Sequence, residues 1–229
     1  MLEIDKVSII YDLSQLFANL SLTIKHHEIV ALTGPSGSGK TTFLRMATGL
    51  LEPASGSITV FGQEPGSMDA RSKLSYLADT PTFYDDLSVW EHLEYTARLH
   101  NMGTWEQKAA DLLGQLGIYE RADDLPTRFS RGLKQKAAIA IAFIRPFELM
   151  LIDEPFVGLD ADGKEALLDL FDQASADGAA LVVATHELSF VSRTARTIAL
   201  RDGSLVFDGE SSQAEARGLV AVEGTAIQD

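Results

Sequence analysis

Cysteine is absent from the 229-residue chain, which excludes disulfides and any thiolate metal centre. Long apolar runs are absent too. The longest, Ala137 to Ile144, falls far short of the roughly 20 residues needed to cross a bilayer, so any membrane role has to come through a partner. Positive charge is scarce: 19 Lys and Arg stand against 33 Asp and Glu, a formal net charge of −14. That balance argues against a general nucleic-acid binder, because phosphate contacts need clustered Lys and Arg. Met1 to Asp5 holds no basic stretch leading into an apolar run, so no secretory signal is expected and the cytoplasm is the expected location. No internal repeat is visible. The apolar fraction of 45% supports a sizeable core, in one large domain or one domain with an inserted lobe.

What is present centres on a glycine-rich loop, Gly34-Pro35-Ser36-Gly37-Ser38-Gly39-Lys40-Thr41-Thr42, which contains G-x-x-x-x-G-K-[ST]. Ile29 to Leu32 before it reads as a buried strand, and Thr42 to Ala47 after it as a helix. Strand, loop and helix in that order are the context a phosphate-binding loop requires. Glycines let the backbone wrap closely enough for successive N–H groups to face a polyphosphate, and the helix aims its positive end at the same place. Lys40 supplies a mobile cation for the β and γ phosphates, and Thr41 a hydroxyl for Mg²⁺.

The surrounding pattern is α/β. Apolar alternation at Leu2, Ile4, Val7, Ile9, Tyr11, Leu20, Leu22 and Ile24 predicts antiparallel strands ahead of the loop, with Val7, Ile9 and Tyr11 sharing a face. Another short strand is expected at Ser57 to Gly62. From Ser88 to about Ile144 the period turns helical: Val89, Leu93 and Ala97, then Leu112, Leu113 and Leu116, with Ser88 and Glu91 forming a capping box. This stretch reads as an inserted lobe. Strands resume at Leu149–Ile152 and Leu181–Ala184, separated by a helix over Ala161–Ala176, and an Asp202-Gly203 turn joins a final hairpin. A short, frayed helix is expected after Gly209.

Leu149 to Ile152 ends in Asp153-Glu154-Pro155. Carboxylates at the C-terminal end of a parallel strand lie beside the phosphate loop. There Asp153 would hold Mg²⁺, and Glu154 would polarise the attacking water. Thr185-His186 follows a second apolar strand, where the imidazole could contact a γ-phosphate or serve a structural role. Phe129-Ser130-Arg131-Gly132-Leu133 precedes a strong helix. Ser130 can cap that helix, and Gly132 permits close backbone approach.

Taken together, these residues resemble the ATP-binding-cassette (ABC) transporter ATPase family from about residue 2 to 209. Gly34 to Thr42 match Walker A, Phe129 to Leu133 the signature, Asp153-Glu154 Walker B, Gly158-Leu159-Asp160 the D-loop, and His186 the switch histidine. Tyr11 sits where the family has an aromatic that stacks on adenine, although strand packing would also suit it. Asp160 suits a helix cap as well as a D-loop role. The resemblance implies a phosphate-loop NTPase core with a mostly parallel sheet, an N-terminal antiparallel β-subdomain and an inserted α-helical subdomain. Residues 1–85 and 146–209 would form the nucleotide-binding core with its antiparallel part, 86–145 the helical lobe, and 210–229 a tail.

It further implies ATP and Mg²⁺ as ligands and a head-to-tail dimer, either of two copies or with a related cassette. Ser130 and Gly132 of one subunit would then face the nucleotide of the other. The partner would be a transmembrane permease on a separate chain, with this subunit peripheral on the inner face of the membrane; the signature resembles those of export systems, with import left open as the alternative direction. A soluble cassette acting on nucleic acid or ribosomes is the alternative. Three departures stand out: Arg131 and Leu133 replace glycine and glutamine in the signature, Asp79 falls at the Q-loop glutamine position and becomes a candidate Mg²⁺ ligand, and Ala142 to Pro146 lacks the usual Ala-Arg-Ala. Phe83, Tyr84 and Trp90 are candidates for a groove that receives a partner helix, with core packing the expected fate of at least one.

Overall fold

The computed structural model describes residues 1–11 and 14–220, apart from the side chains at 10, 11, 14, 15 and 216. The chain opens with β1 (Leu2–Tyr11) and β2 (Ser14–Ile24), an antiparallel pair, and then enters β3 (Ile29–Thr33). Residues 2–11 form one continuous strand. Its buried face changes parity, from Leu2 and Ile4 to Val7 and Ile9, because Lys6 has φ 49° and shifts the register. After α1 (Lys40–Ala47), β4 (Ser55–Val60) returns to pair with β1, closing a three-stranded sheet of order β2-β1-β4.

Next come α2 (Met68–Lys73) and β5 (Leu74–Leu77). Helix α2 escapes the periodicity argument because Ala70 is its only buried residue; its start is marked by Ser67, which accepts from the Ala70 N–H. The helical stretch is three helices, α3 (Val89–Leu99), α4 (Glu106–Gln115) and α5 (Arg131–Ile144), with two single 3₁₀ turns between the last two. The expected capping box opens α3, with Glu91 N–H to Ser88 at 3.2 Å and Ser88 N–H to Glu91 at 2.7 Å. The chain finishes with β6 (Leu149–Asp153), α6 (Ala161–Ala176), β7 (Ala180–Ala184), α7 (Leu188–Val191), the hairpin β8 (Arg196–Arg201) and β9 (Ser204–Glu210), and α8 (Ser211–Ala216).

The second sheet has the order β5-β6-β7-β3-β8-β9, parallel except for β9. Buried on both faces, its strands read as continuous apolar runs whose alternate residues serve two cores. Met150 and Ile152 of β6, with Ala31 of β3, pack towards α3 to α6. Leu149 and Leu151, with Val30 and Leu32, pack towards α1 and the antiparallel sheet. The fold is thus α/β with a mixed, mostly parallel sheet, and it carries the C-terminal ends of β3, β6 and β7 to one edge.

Candidate nucleotide site

The loop between β3 and α1 has the backbone the glycines predict. Gly34, Gly37 and Gly39 all have positive φ, at 144°, 80° and 105°. A Cβ at Gly34 would lie 2.1 Å from the Leu200 carbonyl oxygen, and one at Gly39 would lie 2.4 Å from the Phe17 ring. The loop is therefore wedged between β8 and the antiparallel sheet, and its shape is set from below. Phe17 and Leu200 went unnoticed in the sequence, because nothing local links them to a loop so far away.

Lys40 is buried, and its ammonium donates to the Gly34 and Pro35 carbonyls at 2.8 and 3.4 Å. Burial lowers its pKa, while Glu154 and Asp153 oppose that shift. Thr41 donates to Asp153 Oδ2 at 2.7 Å, bringing the first acid of β6 to the start of α1. Asp153 is nearly fully buried; burial raises its proton affinity and Asp79 adds to this, while Thr41 and Lys40 oppose it.

Glu154 follows with φ 46°, an uncommon conformation for a side chain of this kind, and its N–H is pinned to the Ala184 carbonyl at 2.8 Å. That geometry turns its carboxyl towards His186, with Oε1 3.2 Å from Nε2. Burial pushes Glu154 up to about 7; Asp153 and Asp79 reinforce this, and Lys40 and the His186 backbone oppose it. His186 Nε2 also lies 3.2 Å from Lys40 Nζ. A single ring nitrogen serves one of these neighbours at a time, as acceptor from Lys40 or as donor to Glu154.

These side chains line a cavity of about 420 Å³ with Ser36, Gly37, Gly39, Thr42 and Asp79. Leu16 of β2 adds an apolar wall that the sequence did not suggest. The side chain of Tyr11, the expected adenine stacker, lies outside the described residues. The buried Ser38 hydroxyl has no hydrogen-bond partner among the described residues, an orphaned polar atom inside a loop built for a polar ligand. The oxygens of Thr41 and Asp153 already meet, and no cluster of three or more metal-binding His, Cys, Asp or Glu exists among the described residues. A cation that keeps waters and takes further oxygens from phosphates, as Mg²⁺ does, fits this sparse donor set.

Ser130 and Gly132 lie apart from that cavity. Ser130 caps α5, accepting from the Leu133 N–H at 3.3 Å, and remains exposed. A Cβ on Gly132 would lie 2.5 Å from the Gly158 carbonyl oxygen, so the signature and the D-loop touch backbone to backbone. Asp160 does cap α6, accepting from the Gly163 N–H at 3.0 Å, and it also pairs with Lys136 of α5 at 2.9 Å. The buried Gln135 amide donates to the Pro155 carbonyl at 3.1 Å, tying α5 to the residue after Glu154. Neither tie was visible in the sequence. Of the candidate groove aromatics, Phe83 lines a separate cleft and Tyr84 is about half exposed, whereas Trp90 packs on Trp105 at 5.2 Å.

With the loop, the paired acids and the capped helix in place, the chain belongs to the ABC transporter family, whose pattern it matches over residues 17–157. It is 37% identical over 193 residues to the SkfA peptide export ATP-binding protein SkfE of Bacillus subtilis, covering 83% of this chain and 81% of that protein. It is 34% identical over 226 residues to the ABC-type transporter ATP-binding protein EcsA of the same organism, covering 96% and 90%. Among solved structures it resembles a dimeric ATP-binding cassette in a post-hydrolysis state with ADP and Pi bound. The TM-score there is 0.84 at 26% identity, covering 92% of this chain and 99% of that one. The chain is an ATP-binding ATPase cassette, and no helix among its described residues is long and apolar enough to cross a membrane.

Proposed function

We propose that this chain is the ATP-hydrolysing subunit of an export system whose membrane-spanning part is a separate permease. ATP binding would close a head-to-tail dimer, and hydrolysis would reopen it. The observation that carries this reading is convergence. Lys40, the Thr41–Asp153 pair and the Glu154–His186 pair share one cavity, although Lys40 and His186 are 146 positions apart. The export role named for SkfE supports the direction. No comparable observation favours a cassette acting on nucleic acid or ribosomes.

The roles assigned here are supported by the geometry of the described residues and by the family resemblance. On ATP binding, Lys40 exchanges the carbonyls of Gly34 and Pro35 for the β and γ phosphates, while the N–H groups of residues 36–42 surround the polyphosphate. A bound Mg²⁺ would supply charge neutralisation at those phosphates. Thr41 and Asp153 are the residues that would hold it, with Asp79 as a further carboxylate at the same cavity. Glu154 is the general base: a carboxylate of pKa about 7 both accepts and releases a proton near neutrality. His186, beside Glu154 and Lys40, holds the water in line with the γ-phosphate. Adenine stacking is assigned to Tyr11 from the family resemblance alone.

Ser130 and Gly132 offer a hydroxyl and free helix-start N–H groups to the nucleotide of the facing subunit, completing a site that one copy leaves open. Asp160 and Gly158 lie at the same seam and connect it to α5. Residues 86–145 act as the helical lobe that couples this seam to the permease.

Size-exclusion chromatography and steady-state turnover of Glu154→Gln test the reading. The expected result is a variant that binds ATP, elutes as a persistent dimer and hydrolyses it about 100-fold or more slowly. Parent-like turnover would remove Glu154 from the role of base. A chain that stays monomeric with ATP would remove the dimer.

A further inference from the structure

His186 stands between two competitors. Its Nε2 lies 3.2 Å from the Lys40 ammonium and 3.2 Å from the Glu154 carboxylate. Which of the two it meets turns on a small displacement of the backbone that carries it. That backbone is the short connection between β7 and α7.

The connection is held on both sides of His186 by different means. On the β7 side, the buried Thr185 gives its N–H to the Leu32 carbonyl at 3.2 Å, which ties it to the strand that enters the phosphate loop. On the other side stands Glu187. Its N–H donates to Thr185 Oγ1 at 3.0 Å, and its carboxylate is gripped at both oxygens. Oε1 accepts from the Ser189 hydroxyl at 3.0 Å, and Oε2 accepts from the Lys164 ammonium. Lys164 belongs to α6, one turn beyond the Asp160 cap, so its contact ties the connection to a separate and rigid element. The Lys164 hydrogen bond is also the largest cause holding the Glu187 carboxyl below the ordinary carboxylate pKa, which keeps it charged.

Stability alone is a weak account of this pair. The Lys164 and Glu187 side chains are 39% and 26% exposed, and ion pairs in such settings contribute little. Helix α7 is seated independently by the buried Phe190, which packs on Phe156 at 5.5 Å and on Phe171 of α6 at 5.6 Å. What the pair supplies is placement. Lys164 and Glu187 line one cavity of about 380 Å³ together with Glu154, His186 and Gly158.

We propose that Lys164 is a positioning residue for hydrolysis: by holding Glu187, it fixes the connection that sets His186 between Lys40 and Glu154. This rests on the role given to His186 above and names a residue that serves it. Asp160, one turn earlier on α6, pairs with Lys136 of α5. The start of α6 therefore reaches α5 through one ion pair and the backbone of His186 through the other.

Steady-state turnover, urea unfolding and proton–nitrogen correlation spectra of the imidazole rings test this in the full chain. The His186 ring signal is the one lost in His186→Ala. Lys164→Ala is expected to lower kcat about 10-fold, with the KM for ATP and the urea midpoint unchanged, and to move the His186 signal in the nucleotide-free protein. Lys164→Arg is expected to keep the parent's kcat and ring signal. In the His186→Ala background, Lys164→Ala is expected to cost nothing further. If circular dichroism shows that Lys164→Ala loses helix, Lys164→Gln takes its place.

A His186 signal indifferent to Lys164→Ala overturns the proposal, and so does a Lys164→Ala loss that persists in full without His186. Parent-like turnover of His186→Ala sinks the role of His186 and the kinetic half of the proposal with it. The ring signal, which needs no turnover, still decides whether Lys164 positions the imidazole.

Discussion

The two surfaces that would meet a nucleotide are built in opposite ways. The phosphate loop and the acids of β6 sit at the end of a sheet buried on both faces, with Lys40 and Asp153 nearly enclosed and already bonded to neighbours. The signature end of α5 is an exposed serine near a glycine that lies against the Gly158 carbonyl. The first surface is preorganised by its own subunit, where fixed dipoles act without reorganising during the reaction. The second is an exposed helix start at the surface of its own subunit. In the proposed dimer, a site so divided depends on assembly for half of its chemistry.

Removing charge from the preorganised half should cost most. Lys40→Ala deletes the cation of the loop, and ATP turnover is expected to fall about 1,000-fold, with nucleotide affinity falling too. Loss confined to KM would mean that Lys40 binds without acting on the transition state. On the exposed half, Gly132→Ala forces a methyl to 2.5 Å from the Gly158 carbonyl oxygen. Turnover is expected to drop about 10-fold and ATP-driven dimerisation to weaken, while ATP affinity of the single subunit stays unchanged. An equal fall in single-subunit affinity would erase the distinction between the two halves.

The pH dependence sharpens the contrast on the buried side. Glu154 must be ionised to act as base, so kcat/KM should rise with pH through about 7, the value set mainly by burial. Its folded pKa lies above the ordinary carboxylate value, so the folded state binds the proton more tightly than the unfolded chain. Its contribution to stability is therefore full below pH about 4.5 and lost as pH rises through about 7. Relative to the parent, nucleotide-free Glu154→Gln should be on the order of 2 kcal/mol more stable at pH 8 and nearly equal at pH 4, measured by urea unfolding. The smallest effect belongs to Asp79→Asn. Asp79 raises the proton affinity of Glu154, so its removal should move the kcat/KM midpoint to lower pH by a few tenths of a unit. An unmoved midpoint would detach Asp79 from the base.

Local chemistry was readable in advance. Gly34 to Thr42 is contiguous, so its glycines, lysine and hydroxyl declare themselves by spacing, and the Ser88–Glu91 capping box spans a single turn. The acids after β6 were legible because an apolar run ending in charge is itself a pattern. The long helical stretch was read correctly in kind but not in its breaks, which depend on turns such as Gly117, at φ 68°. Helix α2 offered no periodic apolar face to detect.

The amino-acid sequence alone settled the order of strand, loop and helix and the family. Those depend on short-range spacing, which backbone geometry converts directly into contacts. Tertiary structure alone decided what happens between distant residues: Thr41 against Asp153, Gln135 against Pro155, Phe17 beneath Gly39, and Arg45, Arg71 and Arg145 gathered around two adjoining hollows in an acidic chain. Charge totals and periodicity average over such pairings. Only packing, by excluding water from particular groups, gives each its strength.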